Sequence, residues 1–218
     1  MTLVETEPTV ANMRRLAALR ASRSRDLLRY AEEHQDSAAF DLALHYAQSA
    51  GELDPSSTGI KLLQATLYSR AQDLPFAAQL AEGLLLDILS TEPEQDQARQ
   101  LLAELYFTQA EFGSAIDQFE YLLQHEVPLE GRQLAMLVDA YAASGEVTRG
   151  RLFLRKHLKH QNPPPSLHLA AALLAHHAKD QATAMGQLER VIRSPRTEKQ
   201  YRLYAQQLKT IWSGEENQ

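Results

Sequence analysis

The chain has 218 residues, 44% of them hydrophobic and 23% charged, with a formal net charge of -6 at pH 7. This composition can form a buried core and excludes a wholly disordered chain. The absence of cysteine excludes disulfides, thiolate metal sites and cysteine catalysis, and the acidic balance argues against unselective binding to nucleic acid.

The N-terminal segment, residues 1–23, is predicted to contain one amphipathic helix over 9–21, with Thr9 as its capping residue. It could pack on the next unit or pair with another chain, and we expect the first. Its first ten residues hold two glutamates and no basic region, so no secretory signal is expected. No stretch approaches the roughly 18 apolar residues of a membrane span. We therefore expect a soluble, cytoplasmic protein.

Small residues recur along the rest of the chain at intervals of 34, 38, 35 and 34 residues, at Ala43, Ala77, Ala115, Gly150 and Ala184. Each interval holds two amphipathic patterns of helical period, separated by a short break and closed by Pro or Gly. No alternating strand pattern of useful length accompanies them. The pattern predicts five units of two helices each, over residues 24–57, 58–92, 96–129, 131–164 and 165–197.

A final helix is predicted over residues 198–212, because Tyr201, Tyr204, Leu208 and Trp212 fall on roughly one face. It would cap the repeat region, 24–197, and residues 213–218 are expected to form a disordered tail.

Two stretches carry a recognisable motif. In one, Ala43, Ala47 and Ala50 precede Leu53-Asp54-Pro55; in the other, a complete unit has Leu102-Ala103, Tyr106, Phe112, Ala115 and Phe119. With these residues the chain resembles the tetratricopeptide repeat family. The resemblance implies an all-α, right-handed superhelical solenoid of antiparallel helix pairs, with about five units plus a C-terminal capping helix. It also implies a non-enzymatic protein that binds partners on a concave face lined by each unit's first helix.

The groove that the resemblance implies can be mapped by register onto the first helices. Its predicted members are Leu62, Tyr68, Leu101, Glu104, Phe107, Met136 and Asp139. The apolar members suit an extended or helical apolar segment of a partner protein. The Lys, Asn and Arg set with which some family members hold a C-terminal carboxylate is missing. The alternative is that some of these residues belong to the core or are covered by the N-terminal helix.

Charge is segregated along the chain: residues 1–29 carry +3, residues 30–148 carry -16 and residues 149–212 carry +9. The predicted basic surface comprises Arg151, Arg155, Lys156, Arg193 and Arg196. One interpretation is a solvated outer surface. The alternatives are a site for an acidic protein, an anionic lipid or nucleic acid, or self-association between the acidic middle and the basic end.

No phosphate-binding lysine loop, dinucleotide fingerprint or HExxH motif is present, so we expect no enzymatic activity, cofactor or metal. His157 and His160 could share a helix face, and His176 adjoins His177. Metal sites need converging ligands that these pairs do not supply, so the histidines are interpreted as solvated or half-buried. A mild pH sensitivity is the alternative.

Three functions remain open at this stage. The expected one is an adaptor or chaperone-like scaffold for another protein, as bacterial secretion chaperones and assembly factors of the resembled family are. The second is a self-assembling structural protein. The third, nucleic-acid binding through the basic C-terminal units, is disfavoured by the acidic middle and by the lack of interleaved basic and aromatic residues in the groove.

Overall fold

The computed structural model describes residues 9–71, 73–159, 163 and 165–215. Within these residues it contains eleven α-helices and no β-strand. The predicted all-α class is confirmed. The helices are α1 (Val10–His34), α2 (Ser37–Leu53), α3 (Thr58–Arg70), α4 (Ala77–Thr91), α5 (Asp96–Thr108), α6 (Phe112–Gln124), α7 (Gly131–Ala143), α8 (Val147–His157), α9 (Pro165–His177), α10 (Gln181–Arg193) and α11 (Lys199–Glu215).

Two of these helices differ in extent from the sequence-based expectation. The helix predicted over 9–21 and the first helix of the next unit form one helix, α1, of 25 residues. No Gly or Pro interrupts it, and its buried Ala17 and Ala21 lie on the side that packs on α2. The last helix continues to Glu215, three residues beyond the predicted end at 212. Residues 216–218 of the expected tail lie outside the described residues.

The chain divides into two compact units, residues 1–105 and 106–218, with the boundary inside α5. In the first unit, α1 packs on α2 and α3 packs on α4. Its core is rich in alanine where the helices approach and in leucine and isoleucine elsewhere: Ala17, Ala21, Leu28, Ala43, Leu44, Ala47, Ala50, Ile60, Leu63 and Leu67. Ser24 is the polar exception, and its hydroxyl donates a 2.7 Å hydrogen bond to the carbonyl oxygen of Ala43.

In the second unit, α7 packs on α6, α8 and α9, and α10 packs on both α9 and α11. The C-terminal core joins α9, α10 and α11 through Leu169, Ala172, Ala175, Ala184, Leu188, Val191, Ala205 and Trp212. The only tryptophan therefore fixes the last helix to the preceding pair.

All five small residues that marked the repeat spacing are buried in the first half of a second helix, and Ala115, Gly150 and Ala184 are each the fourth residue of their helix. A small side chain at this position lets neighbouring helices approach closely, as ridges-into-grooves packing requires. The spacing in the sequence therefore records a recurring helix–helix contact.

Four turns between the two helices of a pair share one backbone feature. A residue of positive φ, Gln35, Ala110, Gly145 or Lys179, is followed directly by an acidic residue at the N-cap of the second helix. The left-handed residue reverses the chain, and a negative charge suits the helix N-terminus. The turn between α3 and α4 departs from this rule, because Phe76 is both the left-handed residue and the N-cap, with φ 62°.

Candidate partner-binding surfaces

The first unit holds two residues of the predicted groove on α3. Leu62 is only 8% exposed, so it belongs to the packed interior and offers no free side chain to a partner. Tyr68 is half-buried on the core of α1, α2 and α3, and its hydroxyl accepts a 3.1 Å hydrogen bond from the Gln48 amide. The prediction that Leu62 anchors a partner is therefore corrected by its burial.

Helix α5 carries three of the predicted residues, Leu101, Glu104 and Phe107, spaced one helical turn apart. Each of them is half-buried and so keeps part of its side chain accessible. The ring of Phe107 meets that of Phe112 edge to face, with centroids 5.7 Å apart. This contact fixes the orientation of Phe107, so an apolar group that binds there meets a rigid side chain.

In the second unit, α7 carries the remaining two groove residues. Met136 is only 7% exposed, because α7 is packed on by α6, α8 and α9 together. Asp139 is exposed, and its Oδ1 lies 3.9 Å from Nε2 of His177 on α9. The prediction that Met136 anchors a partner is corrected in the same way as for Leu62: its side chain is a core residue.

The predicted basic surface is partly neutralised within the chain. Arg151 pairs with Asp180 at 2.7 Å, and Arg193 pairs with Glu189 at 2.8 Å. The amide of Thr183 at the start of α10 also donates to Asp180, and this hydrogen bond lowers the pKa of that carboxyl. The members without a carboxylate partner among the described residues are Arg155, Lys156 and Arg196.

Arg149, at the start of the basic stretch, faces the acidic residues of its own chain. It donates to Asp117 at 2.7 Å, to Glu146 at 2.8 Å and to both oxygens of Glu120 at 3.0 and 3.1 Å. The buried Tyr141 donates to the same Glu120 at 2.5 Å. Burial, and then this hydrogen bond, raise the pKa of Tyr141 far above its usual range. The hydrogen bonds to Asp117, Glu120 and Glu146 likewise raise the pKa of Arg149. The cluster links α6, α7 and α8.

A cavity of about 410 Å³ lies between α8 and α10, with α9 as its floor. Its apolar lining includes the fully buried Leu154 of α8 and Leu174 of α9. Its rim carries two guanidinium groups, those of Arg151 and Arg155. The remaining lining residues are Thr148, Leu152, Leu158, Ala171, Ala175, Thr183 and Gln187. The sequence predicted a basic surface that includes these two arginines but gave no sign of the cavity beside them.

Two of the histidines singled out in the sequence make ring contacts. His157 lies against Phe153, and His176 stacks on Trp212 with ring centroids 4.1 Å apart. His160 lies outside the described residues. Over residues 9–71, 73–159, 163 and 165–215, no three histidine, aspartate or glutamate side chains come together in a way that could hold a metal ion. No helix in this part of the chain is long and apolar enough to cross a membrane.

Comparison with known proteins supports the fold and goes no further. No family model matches the chain, and no curated protein sequence matches it significantly. The crystal structure of a tetratricopeptide repeat protein from Parabacteroides merdae is similar to it, with a TM-score of 0.50 and 15% sequence identity, over 96% of this chain and 86% of that chain. Together with the helix pairs, this similarity defines the class: the chain has a tetratricopeptide-like helical repeat fold.

Proposed function

We propose that the chain is a non-enzymatic protein-interaction scaffold, an adaptor or chaperone-like module, that binds an apolar or amphipathic segment of a partner protein. The observation that carries this proposal is the accessible row on α5, formed by Leu101, Glu104 and Phe107. Repeat folds of paired helices commonly present such surfaces to partner chains. A fold does not determine a function, so the argument for this function is the α5 surface itself.

The α5 row suits one kind of partner segment. An amphipathic helix presents apolar residues at intervals of three and four, and Leu101 and Phe107 lie six residues apart, nearly two turns along α5. Phe107 is the expected main anchor, since aromatic residues held rigidly often dominate the binding energy.

The experiment compares affinity purification from the native host with the wild-type chain and with Leu101→Glu/Phe107→Glu. We expect the variant to lose the partner, because two carboxylates would be buried against an apolar segment. Leu86→Glu is the matched control, since Leu86 is an exposed apolar residue on α4. Circular dichroism checks that both variants keep their helices. If the double variant is folded and recovers the same partner in the same yield, the α5 surface is not the binding site.

Self-assembly remains the second candidate, and it is favoured by Arg155, Lys156 and Arg196, which have no carboxylate partner among the described residues. The same residues are too few and too dispersed along the chain to favour nucleic acid, since Arg149, Arg151 and Arg193 are neutralised by carboxylates. Gel-shift measurement at low salt tests the nucleic-acid alternative directly, and we expect no shift.

A further inference from the structure

The turn between α3 and α4 exposes an apolar side chain, that of Phe76, which is not buried in the core. Phe76 is 74% exposed, and Leu74 and Leu80 beside it in sequence are also exposed. Phe76 additionally holds a left-handed backbone conformation, φ 62° and ψ 10°, which is strained for a residue with a side chain. Glycine would hold this conformation without strain, and a polar residue would avoid the exposed ring. The left-handed backbone of Phe76 therefore costs folding stability, and its ring gains little from burial.

The sequence around Phe76 combines apolar and negative character. Residues 73–76 read Asp-Leu-Pro-Phe, and Asp73 has no cationic partner among the described residues. Asp73 and Phe76 are both exposed, so the turn 73–76 presents a carboxylate and an aromatic ring together. A partner for this turn needs an apolar recess with a positive charge at its edge.

The α8–α10 cavity has these complementary properties. Its accessible apolar lining is formed by the exposed Leu152 and the half-buried Leu158 and Ala171, and its volume of about 410 Å³ is ample for an aromatic ring. On its rim, Arg151 is held by Asp180, whereas Arg155 has no carboxylate partner within the described part of the chain. The rim therefore offers one guanidinium that is available to a carboxylate of another molecule.

We propose that the turn 73–76 of one copy of this chain binds in the α8–α10 cavity of a second copy, with Phe76 on the apolar lining and Asp73 paired with Arg155. The contact joins different surfaces of the two copies, so it can repeat from one copy to the next. It does not rest on the function proposed for the α5 surface, because no residue of α5 takes part in it.

Sedimentation velocity from about 1 µM to about 1 mM tests the proposal over the range of weak interfaces. We expect the wild-type mass to rise with concentration above 24.5 kDa, and Phe76→Glu and Arg155→Glu each to stay at that mass. Two controls match them. Lys159→Glu makes the same charge change four residues away, outside the cavity lining, and Leu86→Glu charges an exposed apolar residue of α4. Both controls should associate as the wild type does.

Phe76→Gly separates the side chain from the shape of the turn. Glycine keeps the left-handed backbone, so the turn should fold, yet the ring that enters the cavity is gone. We expect this variant to remain monomeric and to melt no lower than the wild type. Association of Phe76→Gly at the wild-type concentration would overturn the proposal.

A mixture of the two blocked variants gives the sharpest result. The Arg155→Glu variant keeps Phe76, and the Phe76→Glu variant keeps an intact cavity. The turn of the first can therefore bind in the cavity of the second, and no further copy can be added to this dimer. We expect a species of twice 24.5 kDa in the mixture and in neither variant alone. A charge exchange, Asp73→Arg with Arg155→Asp in one chain, should restore association. A wild type that stays monomeric, a mixture without the dimer, or an exchange variant that stays monomeric would each overturn the proposal.

Discussion

Gly150 of α8 lies so close to Tyr141 of α7 that a Cβ atom at position 150 would stand 2.6 Å from Cδ2 of the tyrosine ring. The same atom would stand 2.7 Å from a methyl group of Leu174 on α9. Both distances are shorter than any ordinary carbon–carbon contact, and both neighbours are fully buried. The absence of a side chain at this one position therefore sets how closely α8 approaches α7 and α9.

Gly150→Ala is accordingly expected to destabilise the chain, although the same change in a helix interior usually stabilises it by about 0.5–1 kcal/mol. We expect a net loss of about 1–2 kcal/mol, since an overpacked methyl costs more than the gain in helix propensity. Gly186→Ala is the matched control, because no other atom lies within 4 Å of a Cβ at that position of α10. Urea unfolding followed by circular dichroism measures the free energy of unfolding of both variants. We expect it to fall for Gly150→Ala and to rise for Gly186→Ala.

Ala115 tests the meaning of the repeat spacing itself. It is fully buried at the start of α6, so Ala115→Leu should overpack the contact and cost about 1–3 kcal/mol. Ala182→Leu on the exposed side of α10 should change stability by less than about 0.5 kcal/mol. Thermal unfolding of Ala115→Leu and Ala182→Leu measures this difference. Equal stabilities of the two variants would mean that a small residue is not required at the spaced positions.

The hydrogen bond from Tyr141 to Glu120 predicts a specific dependence on pH. At pH 7, Tyr141→Phe should lose about 1.5–3 kcal/mol, the usual contribution of a hydrogen bond to a charged group. The folded state raises the pKa of Tyr141, so this tyrosine contributes its full stability below the unfolded pKa of about 10. Above that pH the unfolded chain releases a proton that the folded chain retains, and stability falls.

Tyr141→Phe has no phenolic proton to release. The stability difference between the wild type and this variant should therefore shrink by about 1.4 kcal/mol for each pH unit above 10. The midpoints of urea unfolding, measured for both proteins between about pH 7 and pH 11, give the difference in stability between the wild type and Tyr141→Phe. The other tyrosines are present in both proteins, so their titration does not contribute to this difference. A difference that stays constant across this range would contradict the raised pKa of Tyr141.

Trp212 and its neighbour Ile211 form a natural matched pair on α11. Trp212 is 5% exposed in the C-terminal core, whereas Ile211 is 57% exposed. Trp212→Ala should cost about 3–5 kcal/mol and release α11, while Ile211→Ala should be nearly neutral. Limited proteolysis reports the release, because a detached helix is cut faster. Similar cleavage rates for the two variants would show that Trp212 does not hold α11 in place.

Sequence patterns predicted the helix pairs well, because the signals that specify them are local. Helical periodicity, small residues at fixed spacing, and Pro or Gly at the ends all act within one unit. The joined helix α1 escaped prediction because the boundary assumed near residue 23 carries no residue that stops a helix.

The candidate site was harder to predict, because burial depends on several neighbours at once. Met136 lies on a first helix at a groove position, yet α7 is covered by three other helices. The ion pairs were also hidden in the sequence: Arg149 meets Glu120, and Arg151 meets Asp180, each 29 residues away. Such pairs join neighbouring repeats, so they follow from the spacing only once the register of the helices is known.

The left-handed turns have a consequence for engineering the protein. At Gln35, Ala110 and Lys179 the chain keeps a conformation that costs a residue with a side chain on the order of 1 kcal/mol, whereas the equivalent turn at Gly145 avoids that cost. None of the three belongs to the α5 row or to the cavity lining. Glycine could be introduced at them one by one, so heat resistance could be increased in steps while every surface offered to another molecule keeps its natural sequence.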